Sequence, residues 1–378
     1  MSEVTLRGMT WNHARGYDPM VATARAYMEA HPGVTITWEK RSLQAFADRP
    51  IGEMAGSYDL MVIDHPHVGE VARAGHLVDF AAQGRDGELA ALAAGSVGDS
   101  HASYAIDGGQ WGLAIDAATP VACYRPDLIS DVPHRWDQVL DLAREGHVGF
   151  ALIPINALMT FFGLARNNLV VIAENPEELL ASDAGAEVLE RMREIVALID
   201  PVCLTLDPIG MFDWMGGTPD APAYSPFGYG YTNYSRDGYC RFPLVFADAP
   251  GFGDNGPRGT VLGGTGIAVS AASNAREVAV DYAFWIAGAD CQKGLYFRNG
   301  GQPGHAAAWE DDTCNAACRN FLRNTRETLE TSWVRPRYDG YMQLQDRGGD
   351  IVHACLRGEA GVDATLDALN AAYRESRR

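Results

Sequence analysis

The sequence predicts an α/β protein, and three observations support this class. Strand-like and helix-like patterns alternate through the first sixth of the chain, beginning with an apolar alternation that ends at Trp11. Residues 60–63 are apolar throughout, which is typical of a parallel strand buried on both faces. With 378 residues, the chain is long enough for two domains or one large one. Ligands of α/β domains bind beyond the carboxyl ends of the strands, so candidate residues are sought there.

The elements are predicted in order from their hydrophobic periods and from helix start and stop signals. In the first third we expect strands at residues 4–11, 34–38 and 60–63, and helices that start at Asp18 and Ser42. Two short apolar runs within residues 110–124 flank a polar patch at 116–119, which indicates a crossing between two lobes. Beyond it we expect helices at 136–145, 186–200 and 274–287, strands at 149–153, 242–246 and within 260–270, and mostly helix from 311 onward.

Composition and charge exclude several classes of function. Lys+Arg 30 against Asp+Glu 49 gives a net charge of −19, which disfavours nucleic acid and anionic lipid as partners. Residues 149–165 form the longest apolar stretch and are shorter than the ~20 residues that span a bilayer. Seven scattered cysteines suit a reducing compartment. No export signal is evident, so a cytoplasmic location is expected for the chain as it stands, and a periplasmic one if a leader has been removed.

Nine short segments follow one another in an order that resembles a known family. They are residues 59–64 (DLMVID), 75–79 (GHLVD), 109–113 (GQWGL), 124–128 (YRPDL), 136–140 (WDQVL), 263–270 (GGTGIAVS), 284–285 (FW), 300–303 (GGQP) and 334–336 (VRP). This set is similar to the family 1 extracellular solute-binding proteins of ABC transporters, a group that includes the maltose-binding type. The resemblance spans nearly the whole chain, although each segment alone is ordinary strand, turn or helix sequence.

The resemblance implies a two-lobed periplasmic-binding-protein-like fold of type II, with an interlobe ligand cleft, multiple hinge crossovers and closure around the ligand. The implied N-terminal lobe comprises residues 1–115 and 257–303, and the C-terminal lobe comprises 116–256 and 304–378. The implied partners are a small-molecule ligand and an ABC transporter permease, for a monomer without cofactor, nucleic acid or membrane insertion. The chain departs from the family in lacking an export signal and in carrying His and Arg at its strand ends.

The end of the first strand supplies Trp11, His13 and Arg15 as candidate ligand residues. A guanidinium at Arg15 can bind a carboxylate or phosphate through two parallel hydrogen bonds. In the alternative, Arg15 pairs with a nearby Asp and His13 bonds to the backbone. After the second strand, Arg41 and Gln44 lie on either side of the predicted helix start at Ser42, an environment that favours an anion, while a solvated charge is the alternative.

The third strand ends in Asp64-His-Pro-His67, where an extended backbone would place both imidazoles on one side. Contacts to the ligand or acid/base work by His65 and His67 are expected, with Asp64 orienting a ring. A metal site at these three residues is the alternative, and no metal is predicted because a fourth ligand is not evident.

The remaining candidates lie farther along the chain. The Gly-, Pro- and Tyr-rich residues 207–233 predict a functional loop, from which one or two tyrosines face the cleft. The candidates are Tyr124, Asn156, Tyr229, Tyr231, Gly264 and Thr265. For Asn156 a helix N-cap is an equal alternative. For the glycine-rich segment, close approach of the backbone to a ligand is preferred over packing between strands.

Two functions remain open at this point. The first is a solute-binding protein that closes around a small polar or anionic molecule in ABC-type uptake. The second is a cytosolic enzyme of the same fold that acts on a small acidic metabolite through His13, His65, His67 and a neighbouring Arg. Sequence signatures of P-loop, nucleophile-elbow and zinc-protease enzymes do not occur.

Overall fold

The computed structural model describes residues 3–41 and 51–377, so the predicted helix start at Ser42 and the candidate Gln44 lie outside the described residues. The chain divides into two compact units. Unit 1 comprises Met1–Ala118, Tyr231–Asn233 and Gly263–Ala316, and unit 2 comprises Thr119–Gly230, Tyr234–Leu262 and Ala317–Arg378. Each unit is therefore built from three separate stretches of the chain.

The strands of the described residues are numbered along the chain. They are β1 Val4–Trp11, β2 Val34–Arg41, β3 Leu60–Ile63, β4 Ala105–Ile106, β5 Gly109–Gln110, β6 Leu113–Ala114, β7 Pro120–Tyr124, β8 Tyr224–Tyr229, β9 Val245–Ala247 and β10 Gly266–Val269. The α-helices of the first half are Ala14–Ala30, Ile51–Ala55, Val68–Ala74, Asp86–Ala94, Trp136–Arg144, Pro154–Asn167 and Ser182–Val196. Those of the second half are Pro208–Gly217, Arg276–Ala287, Ala289–Cys291, Ala306–Glu310, Asp312–Ala317, Phe321–Asn324, Arg326–Glu330, Tyr341–Leu356 and Val362–Ser376. Short 3₁₀ turns lie at His65–His67, Phe80–Ala82, Gly98–Ser100, Ala102–Tyr104, Pro201–Thr205 and Thr232–Ser235, and a π turn lies at Gln292–Tyr296.

Unit 1 is organised around a five-stranded sheet with the order β2-β1-β3-β10-β6. Strand β1 is parallel to β2 and β3, whereas β10 is antiparallel to β3 and β6. The register pairs Trp11 with Arg41, so the carboxyl ends of β1 and β2 lie side by side. Fully buried residues such as Leu6, Leu60 and Ile267 form its core. This confirms the predicted α/β alternation of the N-terminal region.

Unit 2 contains a three-stranded antiparallel sheet with the order β8-β7-β9 and a second, helix-rich core. Aromatic rings fill part of this core, where Trp136 lies against Phe150 and Phe227. The helix predicted at 136–145 is confirmed as Trp136–Arg144, and the amphipathic helix predicted at 186–200 lies at Ser182–Val196. The predicted helix at 274–287 begins two residues later, at Arg276.

Several predicted elements are wrong in kind or in position. The first helix begins at Ala14 and not at Asp18, because His13 caps it one turn earlier and Pro19 is accommodated inside it. Residues 149–152 are buried and residue 153 is partly buried, but the segment 149–153 is not a strand. Val148 makes a single bridge to Tyr224, and the amide of Leu152 donates to Cys203 within a 3₁₀ turn, so no ladder forms.

The predicted loop at residues 207–233 is also wrong, because it contains the helix Pro208–Gly217 and the strand β8. The Asp207 carboxylate accepts the amide of Gly210 at 2.7 Å, and Pro208 occupies the first helical position. An Asp-Pro pair is a recognised helix start. The strands predicted at 242–246 and within 260–270 are shorter and lie at Val245–Ala247 and Gly266–Val269.

None of the helices within the described ranges is both long enough and apolar enough to span a membrane. All seven cysteines fall in these ranges and are free thiols, six of them buried. Burial raises the pKa of Cys123 well above its usual value, which keeps this thiol protonated and unreactive.

Candidate functional site

The first part of the site is the junction between β1 and the helix Ala14–Ala30. His13 has an extended backbone, and its Nδ1 accepts a hydrogen bond from the amide of Arg15 at 3.0 Å, which caps the helix. The Trp11 ring lies where a side chain on Gly16 would fall, 2.3 Å from that Cβ position. The end of β1 and the start of the helix are therefore packed against each other, which fixes the position of the Arg15 backbone.

A buried ion pair between Arg15 and Asp116 forms the centre of the site. Arg15 Nε donates to Asp116 Oδ2 at 2.7 Å and Nη2 donates to Oδ1 at 2.5 Å, in the bidentate geometry that suits a guanidinium and a carboxylate. The two residues are only 3% and 1% exposed. The ring of Tyr231 lies over the guanidinium at 4.5 Å from its centroid, and His13 meets the same ring edge-on at 4.9 Å.

The electrostatics of this cluster are balanced within the protein. Burial raises the pKa of Asp116 and the Asp64 carboxylate adds to this, while the Arg15 guanidinium opposes both. Burial by itself lowers the pKa of Arg15, but the Asp116 carboxylate holds it above its usual value. Burial, reinforced by Asp116, also raises the pKa of Tyr296 well above its usual value. The pair is neutral as a whole, and the carboxylate of Asp116 occupies the position that a ligand anion would take.

Gln302 joins the ion pair to the segment Tyr231–Asn233. Its Oε1 accepts the amide of Thr232 at 2.9 Å, and its Nε2 donates to the carbonyl of Ala117 at 2.8 Å. The amide of Ala117 donates in return to the Gln302 carbonyl at 3.1 Å. Because Gln302 is 1% exposed and uses both ends of its amide, it fixes Thr232 next to the Asp116–Ala117 backbone.

Thr265 and Gly264 bind the same backbone from another direction. Thr265 and Asp116 exchange two backbone hydrogen bonds, each of 3.0 Å. Gly264 has φ +90°, and a Cβ there would lie 2.3 Å from the Asp116 carbonyl oxygen. Gly264 therefore allows the backbone of Asp116 to approach closely, which is the packing alternative, and its contact with a ligand stays a prediction.

Five of the predicted residues meet around Asp116: His13, Arg15, Tyr231, Gly264 and Thr265. Trp11 packs against Gly16 at the start of the first helix. Of the two alternatives for the first strand end, the geometry matches the one in which Arg15 pairs with an Asp and His13 bonds to the backbone. Asp64 interacts electrostatically with the same carboxylate. Their roles toward a ligand stay predictions.

Arg41 belongs to a different group on unit 1. Its Nη2 donates to the hydroxyl of Tyr58 at 3.1 Å, and its guanidinium lies 5.5 Å from the centroid of that ring. The Tyr58 hydroxyl in turn donates to Glu39 at 2.8 Å. Arg41 is therefore held by a tyrosine and lies near a carboxylate, and its role in binding an anion stays a prediction.

The two histidines of the third strand end do not share one side of an extended segment. His65, Pro66 and His67 form a 3₁₀ turn, in which residues two apart point in different directions. Asp64 caps this turn through the amide of His65 at 2.9 Å, and the buried His65 ring lies edge-on to Tyr104. Within residues 3–41 and 51–377, no group of three His, Cys, Asp or Glu side chains is arranged to hold a metal ion.

The other three candidates lie in unit 2. Asn156 is the third residue of the helix Pro154–Asn167, whose N-cap is Ile153, so the N-cap alternative for Asn156 is wrong. Tyr124 and Tyr229 end β7 and β8, where Tyr229 pairs with Pro120. Burial raises the pKa of Tyr124.

Three residues that complete the cluster were not among the predicted candidates: Asp116, Tyr296 and Gln302. For Asp116 a signal existed, because the polar patch at 116–119 interrupts two apolar runs. For Gln302 the signal was the segment GGQP, which carried the resemblance without suggesting a role. Tyr296 is the last residue of a π turn, and no local sequence pattern predicts such a turn.

Comparison with known proteins gives a family match and a set of similar structures. A sequence model described as "Bacterial extracellular solute-binding protein" matches residues 22–308. The maltose-bound MalE3 of T. maritima superposes with a TM-score of 0.83 at 14% identity, covering 98% of this chain and 99% of that one. A solute-binding protein of Thermotoga lettingae bound with α-D-tagatose gives a TM-score of 0.83 at 15% identity, with 100% of both chains covered.

A third structure extends the comparison to a sugar alcohol. The solute-binding protein of Agrobacterium radiobacter K84 in complex with ribitol gives a TM-score of 0.78 at 19% identity, covering 100% of this chain and 98% of that one. At these identities the likeness shows the fold, and it confirms the fold class that the sequence resemblance implied. A search of the curated proteins gives no match.

Proposed function

Because the chain belongs to the bacterial extracellular solute-binding proteins, we propose that it binds a small polar solute reversibly and delivers it to an ABC-type importer. The observation that carries this proposal is the family match across residues 22–308, which is about three quarters of the chain. The family description supports a site of action outside the cytoplasm, which is the second of the two locations considered above. The permease partner and the monomeric state stay predictions.

The finer proposal concerns the ligand, which we take to be an uncharged sugar or polyol. Three proteins of the same fold were solved with maltose, tagatose and ribitol, and all three are uncharged and rich in hydroxyl groups. The balance of charge around Arg15 supports the same class, since Asp116 already takes both of its guanidinium hydrogen bonds in the pair. The anionic ligand considered at first would have to displace that carboxylate.

Thermal shift measurements on the purified full chain test the proposal. Matched pairs of a neutral compound and its acid separate the ligand classes: ribitol and ribonate, glucose and glucuronate, maltose and maltobionate. A ligand at a hundred times its Kd adds about 2.7 kcal/mol to the free energy of unfolding, which is readily detected as a rise in Tm. We expect at least one neutral member to raise the Tm and its acid to have little effect, with calorimetric titration giving the Kd.

Mass spectrometry of the bound compound after prolonged incubation addresses the enzyme alternative. A binding protein returns the compound unaltered. Conversion that disappears in His13→Ala, His65→Ala or His67→Ala would support the enzyme instead. If no compound of either class raises the Tm, the proposal of a small polar solute fails.

A further inference from the structure

Three buried side-chain oxygen atoms in the stretches Tyr231–Asn233 and Gly263–Ala316 of unit 1 have hydrogen-bonding capacity that is unused. They are Oγ1 of Thr232, Oδ1 of Asn233 and Oγ1 of Thr265, in residues that are 0%, 2% and 9% exposed. None of the three finds a hydrogen-bond partner within residues 3–41 and 51–377. Buried polar groups are nearly always paired in folded proteins, because an unpaired one loses its hydration without compensation. Three such atoms in one region of a unit therefore require an explanation.

The three side chains are tied to the cluster around Asp116. The backbone of Thr232 is fixed by Gln302, and the backbone of Thr265 is fixed by Asp116. Asn233 Nδ2 lies 3.3 Å from the position of a Cβ on Gly300, whose φ is +94°, and the Ala14 carbonyl lies 3.6 Å from that same position. The backbones of Thr232 and Thr265 are thus fixed by Gln302 and Asp116, and the Asn233 side chain lies near the start of the first helix.

We infer that Thr232, Asn233 and Thr265 determine ligand specificity by offering these three atoms to hydroxyl groups of the ligand. This inference rests on the proposed function and adds the residues that recognise the solute. A threonine hydroxyl donates one hydrogen bond and accepts others, as does a ligand hydroxyl, so the two pair in either direction. The Asn233 Oδ1 atom only accepts, so its partner must be a donor. An ionised carboxylate group lacks that donor, whereas each hydroxyl of a sugar or polyol carries it.

Substitutions that keep shape and remove the polar atom test the inference. The variants are Thr232→Val, Thr265→Val and Asn233→Leu. Ser100→Ala is the matched control, because Ser100 is 2% exposed in unit 1 and its Oγ is another buried atom without a partner in the described part of the chain. The probe is whichever of ribitol, tagatose, glucose and maltose raises the Tm of the unaltered protein most.

The expected result separates stability from affinity. In the ligand-free protein, removing an unpaired hydroxyl leaves the Tm unchanged or raises it in both Thr→Val variants and in the Ser100→Ala control. The Kd for the probe increases about 3- to 10-fold for each Thr→Val change, which is the loss of one ordinary hydrogen bond, and stays unchanged in the control. Asn233→Leu weakens the probe by a similar factor.

Three outcomes overturn the inference. A Kd unchanged in all three variants shows that the atoms do not contact the solute. A sharp fall in the Tm of both ligand-free Thr→Val variants shows that the hydroxyls have a partner inside the protein, such as an ordered water molecule. Binding of the acids in preference to their neutral counterparts overturns the inferred specificity but leaves the proposed solute-binding function standing. If the unaltered protein binds neither class of compound, both the inferred specificity and the proposed function fail.

Discussion

Removal of the Asp116 carboxylate is the most informative perturbation of unit 1. In Asp116→Ala the guanidinium of Arg15 stays where the chain places it, 3% exposed, and loses both hydrogen bonds of the pair. Breaking a buried ion pair from one side costs about 3–5 kcal/mol, because an uncompensated charge is left away from water. The free energy of unfolding should fall by an amount in this range, because the ring of Tyr231 also covers the Arg15 guanidinium.

The second substitution in the series shows whether the cost comes from the charge. Adding Arg15→Met to Asp116→Ala removes the buried cation and keeps a side chain of similar length. Replacement of buried ion pairs by apolar residues is often neutral, so the double variant should recover most of the lost stability. Glu330→Ala is the exposed control. Its partner Arg326 lies 2.6 Å away in the same helix, and both side chains are partly exposed, so about 0.3–0.5 kcal/mol is expected.

Hydrogen exchange measured by mass spectrometry reports on unit 1 alone, which a global denaturation curve does not. Peptides that cover β1 and the helix Ala14–Ala30 should exchange about a hundred- to a few thousandfold faster in Asp116→Ala, as 1.4 kcal/mol corresponds to a factor of ten. Peptides from the helix Tyr341–Leu356 in unit 2 serve as the internal reference. The reasoning is refuted if the single variant loses less than about 1 kcal/mol, or if the double variant is less stable than the single.

Three further substitutions give independent predictions. His13→Ala removes the acceptor that caps the first helix and should lower the free energy of unfolding, measured in urea, by about 1 kcal/mol. His13→Asn keeps an N-cap acceptor and should lower it far less. Equal losses of stability in the two variants would contradict the cap. Gly264→Ala should lower the free energy of unfolding by more than the ~1–2 kcal/mol of a left-handed residue alone, because its Cβ would lie 2.3 Å from a backbone oxygen. Gly33 has φ +95° and open space around its Cβ position, so Gly33→Ala should lower it by only ~1–2 kcal/mol. The Arg125 guanidinium lowers the pKa of Asp127, so the ionised carboxylate stabilises the fold above its ordinary pKa and loses this effect as the pH falls below it. Asp127→Asn should therefore lower the Tm at pH 7, and its Tm should approach that of the unaltered protein near pH 3. A constant difference in Tm across that range would contradict the pairing.

The sequence predicts those elements whose signals are local. Strands β1, β2 and β3 follow from apolar alternation or an apolar run, and the helix Trp136–Arg144 follows from its period after Pro133. Residues 149–153 show the limit of this approach. Their apolar character correctly indicates burial, but a strand also needs a partner, and the segment beside them at Cys203 is a 3₁₀ turn. Nothing within a window of a dozen residues carries that information.

The candidate site was predictable in its parts and not in its pairing. The position of Arg15 after a strand marks it as a candidate, but its partner Asp116 lies 101 residues away. The sequence does not show that Asp116 lies beside Arg15, so it suggests a guanidinium that is available to an anion. In the structure this guanidinium is already paired with Asp116. His65 and His67 illustrate a different limit, because one 3₁₀ turn in place of an extended backbone changes which way two rings point.

The strand order β2-β1-β3-β10-β6 has a consequence for how the chain is made. Strands β3 and β6 both pair with β10 in this sheet. Because β10 is synthesised much later than either of them, neither can form this pairing while the intervening chain is being made. Roughly 150 residues separate Ala114 from Gly266, and at ~5–20 residues per second their synthesis takes on the order of ten seconds. During that interval an apolar strand edge of the nascent chain is open to pairing with a neighbour. Cellular factors that shield such edges during translation would therefore have their greatest effect on the yield of this protein before residue 269 emerges.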